Sequence, residues 1–247
     1  MLVLNKILVQ FQQDKPALSV DNLSINSGLC TAIIGTNGAG KSTLFNVISG
    51  DLSPKRGRVT LNGKEVSRFS STQKSKTFAS VVQDPRQGTF EDLSIYENMA
   101  FAAARSLRSN LKSIFKKSKR RLFADKLSIL GMGLEDRLNT RVGSLSGGQR
   151  QALSLIMATL QTPEVLLLDE PTAALDPAMG NRVMEIVQKL TKELHLTTLM
   201  ITHNLEHAAK YAEDILVMNA GIIEKRINHS EIVDALSLAQ VLHQLAA

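Results

Sequence analysis

Leu29-Cys-Thr-Ala-Ile-Ile-Gly-Thr-Asn-Gly-Ala-Gly-Lys-Ser-Thr43 joins a short apolar, β-branched run to a glycine-rich turn and then to a helix-forming stretch. The run Leu29–Ile34 predicts a buried strand that ends at the turn. Gly35–Thr43 fits G-x-x-x-x-G-K-[ST] in the strand-to-helix context that gives this pattern its meaning. Glycines let backbone N–H groups turn inward around phosphate, and the following helix aims its positive end at the same point. In this reading Gly35, Thr36, Asn37, Gly38, Ala39, Gly40 and Thr43 cradle the phosphates of ATP. Lys41 reaches the β and γ oxygens, and the Ser42 hydroxyl ligates Mg²⁺.

Outward from this loop the pattern is sheet-like on both sides. Leu4–Phe11 and Leu18–Ile25 read as strands, and Val59–Val66 reads as a hairpin turning at Asn62-Gly63. Ser94-Ile-Tyr-Glu97 is a capping box, which predicts a helix running toward Leu107. A second helix is predicted over about 119–131, with Leu122, Leu127 and Leu130 on its apolar side. Strands and helices then alternate, as in a parallel sheet. Val165–Asp169 and Thr197–Thr202 are strands, and Asp176-Pro177 opens a helix burying Val183, Ile186, Val187, Leu190 and Leu194. Ile215–Met218 and Ile222–Ile227 flank a turn at Asn219-Ala-Gly221, and a short amphipathic helix follows Ser230. These elements predict one sheet-centred domain over 1–247, with a helical insertion at roughly 84–155 between 1–83 and 156–247.

Two further motifs carry chemistry. Val165-Leu-Leu-Leu-Asp169-Glu170 ends an apolar strand in two carboxylates. Asp169 suits the water shell of Mg²⁺, and Glu170 suits orienting and deprotonating an attacking water. Leu145-Ser-Gly-Gly-Gln149 contains a second capping box, Ser146 with Gln149, so a helix starts there with Gly147 and Gly148 exposing backbone to an anion. A second phosphate-facing helix end makes sense if it caps the ATP of another subunit.

Gly35–Thr43, Leu145–Gln149 with Arg150-Gln151, and Asp169-Glu170-Pro-Thr172 followed by Ala174-Leu-Asp176 resemble the motifs of the ATP-binding-cassette family, in order and at the expected spacing. The resemblance covers essentially the whole chain. It implies an α/β fold: a P-loop NTPase (RecA-like) core with an N-terminal antiparallel β subdomain and an inserted helical subdomain. It also implies two such domains sandwiching two ATP molecules head to tail, and an ATPase activity. On the same ground Gln83 senses the metal and its water at a hinge, and His203 contacts the γ-phosphate. Phe11 takes the place of the aromatic that stacks on adenine, although a core position on the first strand is the other reading. Asp176 either caps its helix or reaches across the dimer interface, and one carboxylate can do both. The spacing of His203 to His207 would also suit a metal pair on a helix, but no third ligand is evident.

The resemblance implies the ATP-hydrolysing motor of a membrane transporter, with a soluble ATPase in cofactor assembly or another non-transport process as the alternative. Leu134–Leu138 and Val142–Thr159 resemble bacterial importer ATPases assigned to amino acids, tryptophan or tyrosine among them, although that subgroup carries histidine where this chain has Pro171. Implied partners are a second copy or a paralogue, transmembrane permease subunits and a secreted solute-binding protein, at the cytoplasmic face of the inner membrane. No nucleic acid partner is expected. No stretch approaches the ~18 consecutive apolar residues of a membrane span, and Met1–Lys6 has no signal-peptide pattern. Cys30, the single cysteine, reads as an inert buried thiol. Net charge is +6, and Arg105, Arg108, Lys112, Lys116, Lys117, Lys119, Arg120 and Arg121 fall in a window without acids between Glu97 and Asp125. That window reads as a solvated face or mobile loop, or as a contact for anionic headgroups or an acidic partner surface.

Overall fold

Strands β1 (Leu2–Val9) and β2 (Leu18–Ile25) bury the same alternating positions, because one face of each meets the core and the other meets solvent. In this computed structural model, which describes residues 1–11, 15–104, 119–231 and 234–246, they pair antiparallel with each other. β4 (Arg56–Leu61) and β5 (Lys64–Glu65) complete a four-stranded sheet in the order β2-β1-β4-β5. The turn between β4 and β5 has Asn62 and Gly63 at φ 48° and 78°, the two positive values a two-residue hairpin requires.

The second sheet has six strands in the order β10-β9-β3-β8-β7-β6. These are β3 (Cys30–Gly35), β6 (Phe78–Val81), β7 (Val165–Asp169), β8 (Thr197–Ile201), β9 (Asp214–Asn219) and β10 (Ile222–Asn228). All neighbours are parallel except the β9–β10 hairpin. β3, β7, β8 and β9 are buried on both faces, which is why apolar residues dominate them, whereas the edge strand β10 is mostly exposed. Val165 and Leu167 face the core shared with the antiparallel sheet and α1 (Lys41–Ser49); Leu166 and Leu168 face the opposite side. Cys30 is buried among the latter, and desolvation pushes its thiol up to about 12, as an inert thiol requires.

A third cluster is helical. α3 (Ile95–Ala104) and α4 (Lys119–Ser128) pack with part of α5 (Gly147–Thr159) and of α6 (Pro177–Glu193). The helices start where the sequence places them. Ser94, Ser146 and Asp176 each accept from a backbone N–H three residues on. α2 (Ser71–Thr77), α7 (Leu205–Tyr211) and α8 (Ala235–Ala246) complete the described helices. Leu107 and the basic residues Arg105 to Lys117 lie outside the described residues. One expectation needs correction. Leu122 is 49% exposed, and Phe123, one position on, is fully buried against Tyr96. The apolar spacing fits a register that includes Phe123, whose larger ring fills the gap between α3 and α5.

Truncation at these two neighbours should therefore separate cleanly. Phe123→Ala should cost roughly 3–5 kcal/mol of stability in chemical denaturation. Leu122→Ala should change it by no more than about 0.5 kcal/mol.

Candidate active site

Four adjacent strands, β3, β8, β7 and β6, all release their chains at the same edge of the sheet. The phosphate-binding loop follows β3, His203 follows β8, Asp169 ends β7 with Glu170 after it, and Gln83 follows β6. Parallel sheets place ligand sites at this edge. Residues more than a hundred positions apart thus line one cleft of about 370 Å³, formed by Asn37 to Thr43, Gln83, Asp169, Glu170 and His203 together with Ala17 and Ile201. A larger depression of about 730 Å³ lies on the antiparallel sheet, but it draws in neither the glycine loop nor the paired carboxylates.

The loop is shaped from below by one ammonium group. Lys41 is 8% exposed, and its Nζ donates to the carbonyls of Gly35 and Thr36 at 2.8 and 2.9 Å. That explains why Gly35 and Thr36 do not line the cleft. Gly38 and Gly40 have φ of 81° and 97°, values that L side chains rarely adopt. Gly40 is the N-cap of α1 and offers no side chain to its first turn. Ser70, Ser94, Ser146, Asp176 and Asn204, at the starts of five other helices, all do. The uncapped end leaves N–H groups pointing to where an anion would sit.

Asp169 and Glu170 both face the cleft for a reason the sequence does not reveal. β7 ends at Asp169, and Glu170 has φ 50°, a left-handed turn that reverses the alternation of the strand. Its N–H donates to the carbonyl of Ile201 at 3.0 Å, holding the turn against β8. His203 Nε2 lies 3.0 Å from Glu170 Oε1. Burial lowers the pKa of Lys41, with Glu170 and Asp169 opposing the shift; burial raises that of Asp169, with Lys41 opposing. Desolvation dominates in both, so each charge is only partly neutralised by its neighbours.

The remaining predicted residues lie elsewhere. Phe11 is not in the lining; it is 67% exposed at the end of β1, so it is not a core residue. Ser146, Gly147, Gly148, Gln149 and Asp176 do not line the cleft but gather together. A Cβ on Gly148 would lie 2.1 Å from Cγ of Met179, and one on Gly147 would lie 3.9 Å from Leu175. The expectation that both glycines expose backbone is therefore corrected. Gly147 is exposed, whereas Gly148 is buried because the first turn of α6 packs on it. Gln149 spends its side-chain carbonyl on the N–H of Ser146, at 3.2 Å. The imidazoles of His203 and His207 take different partners, and no group of three or more metal-binding side chains occurs among the described residues.

Sequence reasoning missed the support that the β9–β10 turn gives the loop. Gly221 N–H donates to the carbonyl of Ala39 at 3.0 Å, and its own carbonyl accepts from Ser19 at 2.7 Å. The turn residues at 219–221 were visible, but their distance from the loop in sequence hid the contact.

A model of the family described as ABC transporter matches residues 18–173. The chain belongs to the ABC transporter family. This cassette is 38% identical over 219 residues to a tyrosine transport ATP-binding protein of Clostridioides difficile, covering 88% of this chain and 87% of that protein. It is 35% identical to the energy-coupling factor transporter ATP-binding protein EcfA2 of Acetivibrio thermocellus, over 85% of this chain and 72% of the relative. A sulfate/thiosulfate import ATP-binding protein of Pseudomonas putida is also 35% identical, over 88% of this chain and 64% of its own length. Among solved structures, cbiO1 from Clostridium perfringens, part of the ABC transporter complex cbiONQ, superposes with a TM-score of 0.81 at 29% identity, over 100% of this chain and 98% of that one. A cassette solved as a dimer in a post-hydrolysis state with ADP and Pi gives 0.77 at 25% identity, over 93% and 99%. This cassette is an ATP-binding subunit and an ATPase.

The electrostatics yield a test on nucleotide-free protein. With its carboxyl held above the ordinary 3.8, folded Asp169 retains a proton that the unfolded chain has released. Stability therefore falls as pH rises from near that value through the raised one. Asp169→Asn removes the penalty, so its melting midpoint should exceed that of the parent at about pH 7. The gain should shrink below about pH 4, and equal midpoints at both would contradict the account.

Proposed function

We propose that this cassette is the motor of a bacterial importer of amino acids or similar small solutes, dimerising with a second copy or a paralogue around two Mg·ATP. One observation carries the reading. The cleft gathers Lys41, Gln83, Asp169, Glu170 and His203, while Ser146, Gly147 and Asp176 lie outside it, at the starts of α5 and α6, whose first turns pack together at Gly148 and Met179. Head-to-tail pairing gives those helix starts the nucleotide of a partner. The relatives named for transport favour this over a soluble role in cofactor assembly. Amino-acid cargo is supported by the tyrosine transport protein. The chain would work at the cytoplasmic face of the membrane beside permease subunits and a secreted solute-binding protein; no described helix is long and apolar enough to cross a membrane.

In this reading Lys41 stabilises charge on the β and γ phosphates, aided by the uncapped start of α1. Ser42, Asp169 and Gln83 offer hydroxyl, carboxylate and amide oxygens, a donor set that suits Mg²⁺ holding most of its shell from water and phosphate. The ion would neutralise phosphate charge. Glu170 orients the attacking water and takes its proton, and His203, 3.0 Å from that carboxylate, would contact the γ-phosphate. Phe11, exposed just after β1, would stack on adenine.

We further assign residues 84–155 to a helical subdomain that transmits the state of the site. Gln83 leads into a segment held to α5 by Arg150, whose Nε donates to Thr89 Oγ1 at 2.6 Å and whose guanidinium pairs with Glu91 at 2.7 Å. Beside that segment lies an apolar groove of about 500 Å³ lined by Val82, Pro85, Phe90, Phe101 and Met157. An apolar helix of a permease subunit fits there, within reach of the Gln83 loop.

Glu170→Gln should bind ATP but hydrolyse it at least ~10²-fold more slowly, and should accumulate as a dimer in light scattering when ATP is added. Near-normal turnover would remove Glu170 from its role. A monomer at saturating ATP would point to a different partner chain.

A further inference from the structure

Glu170 and His203 arrive on separate chain segments, and the 3.0 Å contact between them needs both segments fixed. Glu170 occupies a backbone conformation that non-glycine residues rarely hold. On its N-terminal side the strand and the bond to Ile201 restrain it. On its C-terminal side the segment continues through Pro171 to Thr172. There Thr172 Oγ1 and His207 Nδ1 form a hydrogen-bonded pair at 3.1 Å.

His207 is built into place. It is 6% exposed, and its N–H donates to the side chain of Asn204 at 2.9 Å, in the first turn of the helix that follows His203. Its ring meets Tyr211 edge-on with centroids 5.8 Å apart. A third element leaves room for the pair. A Cβ on Gly180 would meet His207 Cε1 at 3.3 Å and Thr172 Cβ at 3.5 Å. Burial, with Lys210 adding and Glu206 opposing, lowers the pKa of the imidazole, so at neutral pH the pair joins a neutral ring to a hydroxyl. A neutral buried pair has no catalytic charge to offer and does not face the cleft. What it does is join the segment after Glu170 to the helix after His203.

We propose that His207 is a positioning residue for ATP hydrolysis: through Thr172 it clamps the Glu170–Thr172 turn to the His203 helix and so keeps the Glu170 carboxylate opposite His203. The inference rests on the assignment of Glu170 to the attacking water.

The test is steady-state ATP hydrolysis by Thr172→Val, His207→Ala, the double variant and His207→Asn. Val keeps the shape of Thr, and an Asn amide can occupy the place of Nδ1. Thr172→Val and His207→Ala should each lower kcat roughly ten-fold with KM little changed. The double variant should be no slower than the worse single, since one bond is lost only once. His207→Asn should recover most of the rate. Additive losses, a loss confined to KM, or no recovery by Asn would each overturn the proposal. If His207→Ala does not fold by circular dichroism, Thr172→Val and His207→Asn decide alone: a parent-like kcat in Thr172→Val overturns it. Glu170→Gln run alongside separates the two readings. Its retained turnover would remove the function assigned to Glu170, whereas an inactive Glu170→Gln beside a normal Thr172→Val would remove only the clamp.

Discussion

The Lys41 ammonium is withdrawn from water into the loop it belongs to, with two backbone carbonyls as its hydrogen-bond partners and two carboxylates close by. A buried charge is tolerated only where hydrogen bonds and opposite charge replace the water it has lost. Here that replacement is incomplete, since burial still depresses the pKa of Lys41 and raises that of Asp169. The cleft is thus unbalanced without an anion that accepts from Lys41 and a cation that answers Asp169. Mg·ATP brings both. The rest of the fold can be understood as what holds this imbalance open: four strand ends in a row, an uncapped helix and a hairpin turn bonded to the loop from outside.

Helix starts divide the molecule into two kinds of surface. Where a side chain satisfies the first turn, the helix end is finished; where none does, as at Gly40, it awaits a ligand. The start of α5 is intermediate. Ser146 and Gln149 satisfy each other, yet Gly147 remains exposed, with Leu175 as its neighbour. Gly148 is buried under Met179, which joins this helix end rigidly to the start of α6. The surface proposed to meet a partner is therefore tied to the same segment, Glu170 to Asp176, that leaves β7.

Much of this was legible in the sequence because it depends on local chemistry. Capping boxes at Ser94 and Ser146, the turn at Asn62-Gly63 and the unbroken aliphatic run before Asp169 each report a backbone conformation fixed within a few residues. What was not legible depends on contacts between distant segments. Leu122 and Phe123 are adjacent apolar residues, and only the contact with Tyr96 of α3 shows which of them faces the core. The glycine at 148 could answer an anion or a neighbouring helix; its identity alone does not distinguish them. The bond from Gly221 to Ala39 spans more than 180 residues, and no periodicity carries that information.

The left-handed residue at Glu170 shows why such a site needs its second layer. A strand places successive side chains on opposite faces, so two adjacent acids can serve one ligand only if the backbone is forced out of the extended region at the second. That conformation is unfavourable for a residue with a Cβ and persists only where neighbours over-determine it. Here the neighbours are the Ile201 carbonyl on one side and the Thr172–His207 pair on the other. One rests on the neighbouring strand and the other on the helix after His203, so the turn at Glu170 is fixed from two elements that also border the cleft.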